Sequence, residues 1–149
     1  MDNHSARTWV WAALILQALG YVVDAIWHGW LHPGVEPATM SDMVYHLGTV
    51  HLPLYFGAVS VLVATSRALL RQVRRSAPGL AMPIAVAGAV LSTAAETWHA
   101  YAHLHLDTQS APLAGTLSVL GFLVVVITMV LSRGGRRRAA ETTNARGAV

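Results

Sequence analysis

Trp27-His28-Gly29-Trp30-Leu31-His32 recurs seventy-one residues later as Trp98-His99-Ala100-Tyr101-Ala102-His103. A carboxylate precedes each copy, Asp24 the first and Glu96 the second. Both copies lie near the end of a long apolar run. Ionisable side chains in apolar spans are costly and need partners, so they mark a functional site. The repeat therefore predicts a polar site built between two helices.

The composition indicates a membrane protein. Of 149 residues, 54% are hydrophobic and 11% charged, whereas a soluble domain has about 25% charged residues. Each of the apolar blocks is long enough for a helix to cross a hydrocarbon core of about 30 Å. They cover residues 9–32, 42–66, 80–104 and 112–132. We therefore predict an all-α integral membrane protein, with a single four-helix domain at 1–132.

The arginines predict the topology. All ten basic residues are arginine, and they lie in the N-terminal segment, at 67–75 and after Ser132. Because loops 33–41 and 105–111 contain none, the positive-inside rule places both termini in the cytoplasm and the chain in the cell membrane. The basic charge then contacts anionic lipid, which excludes nucleic acid as the expected partner. Residues 133–149 are predicted to form a disordered basic cytoplasmic tail.

The repeat falls on the first and third predicted helices, which run in the same direction. This predicts a bundle of two repeated hairpins, related by a pseudo-twofold axis along the membrane normal. A chain this small also suits a homo-oligomer or a subunit of a larger membrane complex.

Seven of the eight histidines map to the outer side of this topology. On a helix, Asp24, His28 and His32 span about 80° of one face, and Glu96, His99 and His103 span about 60°. The predicted metal ligands are Asp24, His28, His32, His46, Glu96, His99 and His103, with His51 and His105 as further candidates. Helical-wheel positions place His51 and His105 off the faces of the other ligands, since His51 lies about 140° from His46 and His105 about 160° from His103.

The ligand types restrict the chemistry. The chain has no cysteine, so thiolate sites and iron–sulfur clusters are excluded. Imidazole and carboxylate together suit iron, copper or zinc, and also manganese or cobalt. Glu96-x-x-His99 has the spacing that di-iron carboxylate bundles use to place two ligands on a metal pair. A hydrogen-bonded histidine network without metal is the alternative interpretation.

Residues 24–55 resemble the copper-site region in the C subunit of particulate methane and ammonia monooxygenases. The resemblance is carried by Asp24-x-x-x-His28, by His46 in the next helix and by Pro53-Leu54-Tyr55. It implies that Asp24, His28 and His46 bind copper on the outer side of the membrane. The gap from His28 to His46 is longer here, and the second motif copy has no counterpart there. The His-x-x-x-His pairs also resemble the histidine boxes of membrane fatty-acid hydroxylases, without their His-His doublets.

Three functions compete on this sequence. The first is a membrane metalloenzyme, an oxidoreductase in which a mono- or dinuclear iron or copper site activates oxygen against a lipophilic substrate. The second is a membrane protein that binds copper, zinc or cobalt for uptake or delivery. The third is an electron-transfer protein in which histidines of two helices hold haem b.

Overall fold

The computed structural model describes residues 3–35, 37–74, 79–107 and 109–146, with side chains from 5 to 132. Over this part of the chain all regular structure is helical. The elements are α1 (Asn3–Ile26), a π-helical turn (Trp27–Leu31), α2 (Met40–Thr49), α3 (Leu52–Arg74), α4 (Ala81–Leu104) and α5 (Ala111–Arg146).

Within the described residues, three helices are long and apolar enough to cross a membrane: Ser5–Leu31, Leu52–Arg74 and Ala111–Ser132. The predicted membrane character is therefore confirmed at this level. The predicted span 80–104 corresponds to α4, which is 24 residues long but is not among the three. Ser92, Glu96 and His99 lower its apolar character, so the fourth span stays a prediction.

The predicted second helix, 42–66, is in fact two helices. Helix α2 ends at Thr49 and α3 begins at Leu52, with a bend at His51 between them. Pro53 explains the break, because proline has no N–H for the Thr49 carbonyl and its ring opposes a continuous helix. The break changes the direction in which His51 points relative to α2.

The first helix ends in a wider turn. Trp27–Leu31 is π-helical, and the His32 amide donates to the Trp27 carbonyl at 2.9 Å. The helix stops at the predicted Pro33-Gly34, where Gly34 has a φ of +71°, a conformation that glycine adopts without strain. Single π-turns within helices often occur at functional sites, and this one carries His28.

Two pairs of helices pack in direct backbone contact. In the pair α1–α3, a Cβ on Gly20 would overlap the backbone of Leu54, and one on Gly57 would overlap that of Gln17. In the pair α4–α5, a Cβ on Gly121 would lie 2.5 Å from the Ser92 amide nitrogen. Small residues permit such close approach of membrane helices. Each motif-bearing helix thus packs closely on a partner helix.

The interior changes along the bundle. At the end where the side chains of Arg67 and Arg71 lie, an apolar cluster joins all four long helices. One step further, a buried polar network ties α1 to α4 and α5: Gln17 Nε2 donates to Ser92 Oγ at 2.7 Å, and the Tyr21 hydroxyl pairs with Ser118 Oγ at 2.6 Å. The histidines lie beyond this network, at the opposite end from the arginines.

The last helix is longer than predicted. The backbone of α5 is helical as far as Arg146, over a stretch for which the composition predicts a disordered tail from 133 onward. The side chains after Ser132 lie outside the described residues, as do the side chain of His4 and all of Arg75 and Glu36.

Candidate metal centre

Five histidines from three stretches of chain meet at one end of the bundle. His28 comes from the π-helical turn, His46 from α2, His51 from the break, and His99 and His103 from the end of α4. The interior positions are occupied by His51, which is 0% exposed, and by the buried residues His46, Glu96 and His103. The sequence predicts His28, His46, His99 and His103 as ligands, with His51 only as a further candidate.

The first group surrounds one carboxylate oxygen. Asp24 Oδ1 lies 3.4 Å from His28 Nε2 and 3.3 Å from His51 Nε2. The same His51 nitrogen lies 3.0 Å from His46 Nε2. Nitrogen atoms of His28, His46 and His51 all lie within 4.8 Å of one another, and this trio can hold a metal ion. Asp24 faces it with an oxygen, so one acid and three imidazoles converge.

The second group lies on α4. His99 Nε2 and His103 Nε2 are 2.9 Å apart, and Glu96 Oε2 lies 3.6 Å from the other ring nitrogen of His99, Nδ1. The two acids are therefore placed differently. Asp24 faces the nitrogens that converge on one another, whereas Glu96 lies behind His99.

His51 lies between the two groups. Its ring centre is 4.8 Å from that of His46, 5.3 Å from that of His99 and 5.4 Å from that of His103. The rings of His46 and His103 are 6.1 Å apart. The histidines thus form one contiguous cluster, with His51 at its centre.

The spacing of the nitrogens suits metal ligation. Two nitrogens about 2.1 Å from one ion, at roughly 90–110° to each other, lie about 2.9–3.4 Å apart. The His46–His51 and His99–His103 separations are 3.0 and 2.9 Å. In this structure each pair is a hydrogen bond, in which one ring donates its N–H and the other accepts it with its nitrogen lone pair. A metal ion bound by both nitrogens of a pair would replace the shared proton.

The surrounding polar atoms leave hydrogen-bonding capacity unused. Buried atoms without a hydrogen-bond partner are His46 Nδ1, His51 Nδ1, the Tyr55 hydroxyl, His99 Nδ1 and both carboxyl oxygens of Glu96. Such groups are costly and call for an explanation, an ion among them. These unpartnered atoms lie on residues of the histidine cluster and on its neighbours, so the chemistry of the surroundings is compatible with a bound cation.

Two predicted candidates lie at the rim. His32 is exposed and stacks on Trp27, with ring centres 4.5 Å apart. His105 is exposed, hydrogen-bonds to the Tyr101 carbonyl and stacks on the Tyr101 ring. Neither belongs to either group. In the adjoining loop, hydrogen bonds from Ser110 hold the pKa of Asp107 below its usual range, so this acid serves the turn.

The aromatic residues of the motif surround the site. Trp30 is 84% exposed and Tyr101 is also exposed, as expected for aromatic side chains at a membrane interface. Trp27 instead covers the site, because its ring centre is 4.1 Å from that of His46 and 4.7 Å from that of His28. The first motif copy therefore provides both a candidate ligand, His28, and an aromatic ring that covers the site, Trp27.

The central position of His51 is the main feature that the helical wheel underestimates. A continuous helix places its side chain away from His46. The sequence feature that points to this position is Pro53, two residues after His51. A helix break at the proline rotates His51 relative to α2.

Comparison of the chain with protein-family models, with curated proteins and with solved structures finds no match. The site geometry therefore carries the functional interpretation.

Proposed function

We propose that this chain is an integral membrane metalloprotein whose metal ion is held by His28, His46, His51 and Asp24. The observation that carries the proposal is the convergence of these ligand atoms at metal-ligand spacing, with His46 and His51 buried. Their ligand types suit iron or copper, and also zinc. Of the predicted functions, we favour an oxidoreductase in which iron or copper activates oxygen against a lipophilic substrate.

Access supports a small substrate that arrives from the membrane. The side chains of His28 and Asp24 are 29% and 25% exposed, whereas His51 is fully buried. The ligand cluster is therefore accessible from outside the bundle at His28 and Asp24, where a small lipophilic molecule would approach it.

The alternative is a protein that binds copper, zinc or cobalt for uptake or delivery. The same ligands serve this function. The apolar cluster that joins the four long helices includes Leu14, Val61 and Met129 and lies between the site and the arginine end. Since ion conduction needs polar groups across the core, this cluster favours delivery or sensing over transport through the bundle.

Haem b suits the geometry less well than an ion. Axial nitrogens of a six-coordinate haem face each other across the iron, about 4 Å apart at twice a metal–nitrogen bond length. The close pairs His46–His51 and His99–His103 are 3.0 and 2.9 Å apart, so neither pair can be the two axial ligands. Haem b would need His28 or His32 opposite His99 or His103.

Metal analysis and an optical spectrum of the detergent-purified full-length protein test this function. We expect a stoichiometric transition metal, no Soret band, and loss of the metal in the double variant His46→Ala/His51→Ala. The matched control, His32→Ala/His105→Ala, removes two imidazoles from the rim and is expected to keep the metal. Protein that contains no stoichiometric metal and binds none on reconstitution would overturn the proposal.

We further propose that α4 crosses the membrane as the fourth span and that both termini are cytoplasmic. Its polar residues Ser92, Glu96 and His103 are buried in the bundle, so they add little polar surface toward lipid. The basic residues at the ends of α1 and α3 then lie on the cytoplasmic side. The histidine cluster lies at the extracytoplasmic face.

Cysteine labelling tests this topology, because the chain has no native cysteine. Ala38→Cys, before α2, Gly79→Cys, before α4, and Gln109→Cys, after α4, are at exposed positions. In intact cells, a membrane-impermeant maleimide is expected to label Ala38→Cys and Gln109→Cys but not Gly79→Cys, while permeabilised cells label all three. The reverse pattern would invert the topology. Protection of Gln109→Cys together with Gly79→Cys in intact cells would show that α4 does not cross the membrane.

A further inference from the structure

The pair His99 and His103 forms a ligand group of its own, which the proposed metal ion does not use. Their Nε2 atoms are 2.9 Å apart and share a hydrogen bond, and two nitrogens bound to one ion at about 90° lie about as close. His103 is buried and the His99 side chain is 12% exposed. The internal repeat of the sequence thus supplies each motif-bearing helix with its own histidines and its own acid.

One ion does not account for all five histidines. Among the described residues, the ligand nitrogens that all lie within 4.8 Å of one another belong to His28, His46 and His51, and His99 and His103 are outside this group. The His99–His103 pair would add two more imidazoles. A second ion uses that pair without crowding the first.

Resting on the proposed function, we propose that His99 and His103 bind a second metal ion next to the first, so that the centre is dinuclear. His51 lies between the two proposed ions, since its ring centre is 5.3 Å from that of His99 and 5.4 Å from that of His103. Its Nε2 faces Asp24 and His46. Its buried Nδ1 has no hydrogen-bond partner and remains available as a ligand atom.

Glu96 lies beside the second pair. Its Oε2 lies 3.6 Å from His99 Nδ1, the ring nitrogen opposite the one that faces His103. This is longer than a hydrogen bond, but ligating histidines commonly donate their second N–H to a carboxylate, and Glu96 is the carboxylate on that side of His99. Both oxygens of Glu96 are buried without a hydrogen-bond partner, so the carboxylate is also available to balance the charge of a buried cation.

Copper loading of the full-length protein in detergent tests the second site. We strip the protein with a chelator, load it with Cu(II) and measure copper per chain together with the electron paramagnetic resonance spectrum. The expected result is two copper ions per chain with a spin-coupled signal. His99→Ala/His103→Ala is expected to bind one copper ion with an uncoupled signal. The rim variant His32→Ala/His105→Ala is the matched control and keeps two.

The outcomes separate this inference from the proposed function. Suppose that the wild-type chain binds one copper ion, which His99→Ala/His103→Ala keeps and His46→Ala/His51→Ala loses. This result overturns the second site and leaves the first site intact. One ion that is lost in both variants indicates a single shared site, which also overturns the inference. No bound copper overturns both proposals. If His99→Ala/His103→Ala fails to fold, the number of copper ions per wild-type chain still tests the inference. Two ions support the second site, and one ion overturns it.

Discussion

Replacing His51 with alanine is expected to weaken metal binding by at least about 100-fold. Loss of a residue that only supports a ligand costs about 10–100-fold in metal affinity, and the loss of a ligand costs more. His51 is 0% exposed, and its Nε2 lies within 3.3 Å of both Asp24 Oδ1 and His46 Nε2. Competition against a chromophoric chelator, with detergent-purified protein, measures the change in affinity.

The matched control for this substitution is His105→Ala. His105 is a histidine of the same region that is exposed and bonded only to the adjacent turn of α4 among its described contacts. The metal affinity of His105→Ala is expected to stay within about twofold of wild type. A loss of 10-fold or more is typical of residues that support a metal ligand, and His105 is not placed as one. Equal metal affinity in His51→Ala and wild type, with helicity unchanged by circular dichroism, would remove His51 from the site.

Replacing Gly57 with alanine is expected to destabilise the protein by about 2–3 kcal/mol, because overpacking a close contact costs up to this amount. The new Cβ would overlap the backbone of Gln17. A backbone cannot move aside as a flexible side chain can, so α1 and α3 must separate. Thermal unfolding in detergent, followed by circular dichroism, measures the loss.

Gly48→Ala is the control for this change. Gly48 lies in α2, and nothing lies within 4 Å of where its Cβ would be. Alanine is favoured over glycine in a helix by about 0.5–1 kcal/mol, so this variant is expected to be as stable as wild type or more so. A Gly57→Ala protein with wild-type stability would contradict the close α1–α3 contact.

Hydropathy and the positions of proline predict much of this fold. The end of the first helix at Pro33-Gly34 and the positions of α4 and α5 follow from local sequence, since apolar runs and turn residues act over short distances. The division of the second helix does not follow from hydropathy alone, because 42–66 is a mainly apolar stretch on both sides of the break. Pro53 indicates a kink there, but whether a helix bends or breaks depends on what packs beside it.

The repeated motif predicts the gathering of the ligands but not their separate roles. Asp24 and Glu96 occupy equivalent places in the two copies, yet Asp24 meets converging Nε2 atoms and Glu96 meets the Nδ1 of His99. The π-helical turn that carries His28 has no counterpart in α4. Helical-wheel angles assume one regular helix, so they cannot predict this difference.

The resemblance to the C subunit of particulate methane and ammonia monooxygenases stays a prediction. Its implied copper ligands, Asp24, His28 and His46, lie in one group in this structure. The group also contains His51, which the resemblance does not supply. The nature of the metal therefore has to be measured on this protein.

X-ray absorption at the metal edge tests the central claim most directly, on detergent-purified protein with its metal bound. The arrangement of His28, His46 and His51 predicts several imidazole nitrogens at about 2.0–2.1 Å from the ion, with the outer-ring scattering typical of histidine. It also predicts an oxygen ligand from Asp24, and no sulfur. A spectrum without imidazole scattering, or with a ligand shell made only of oxygen, would contradict the claim.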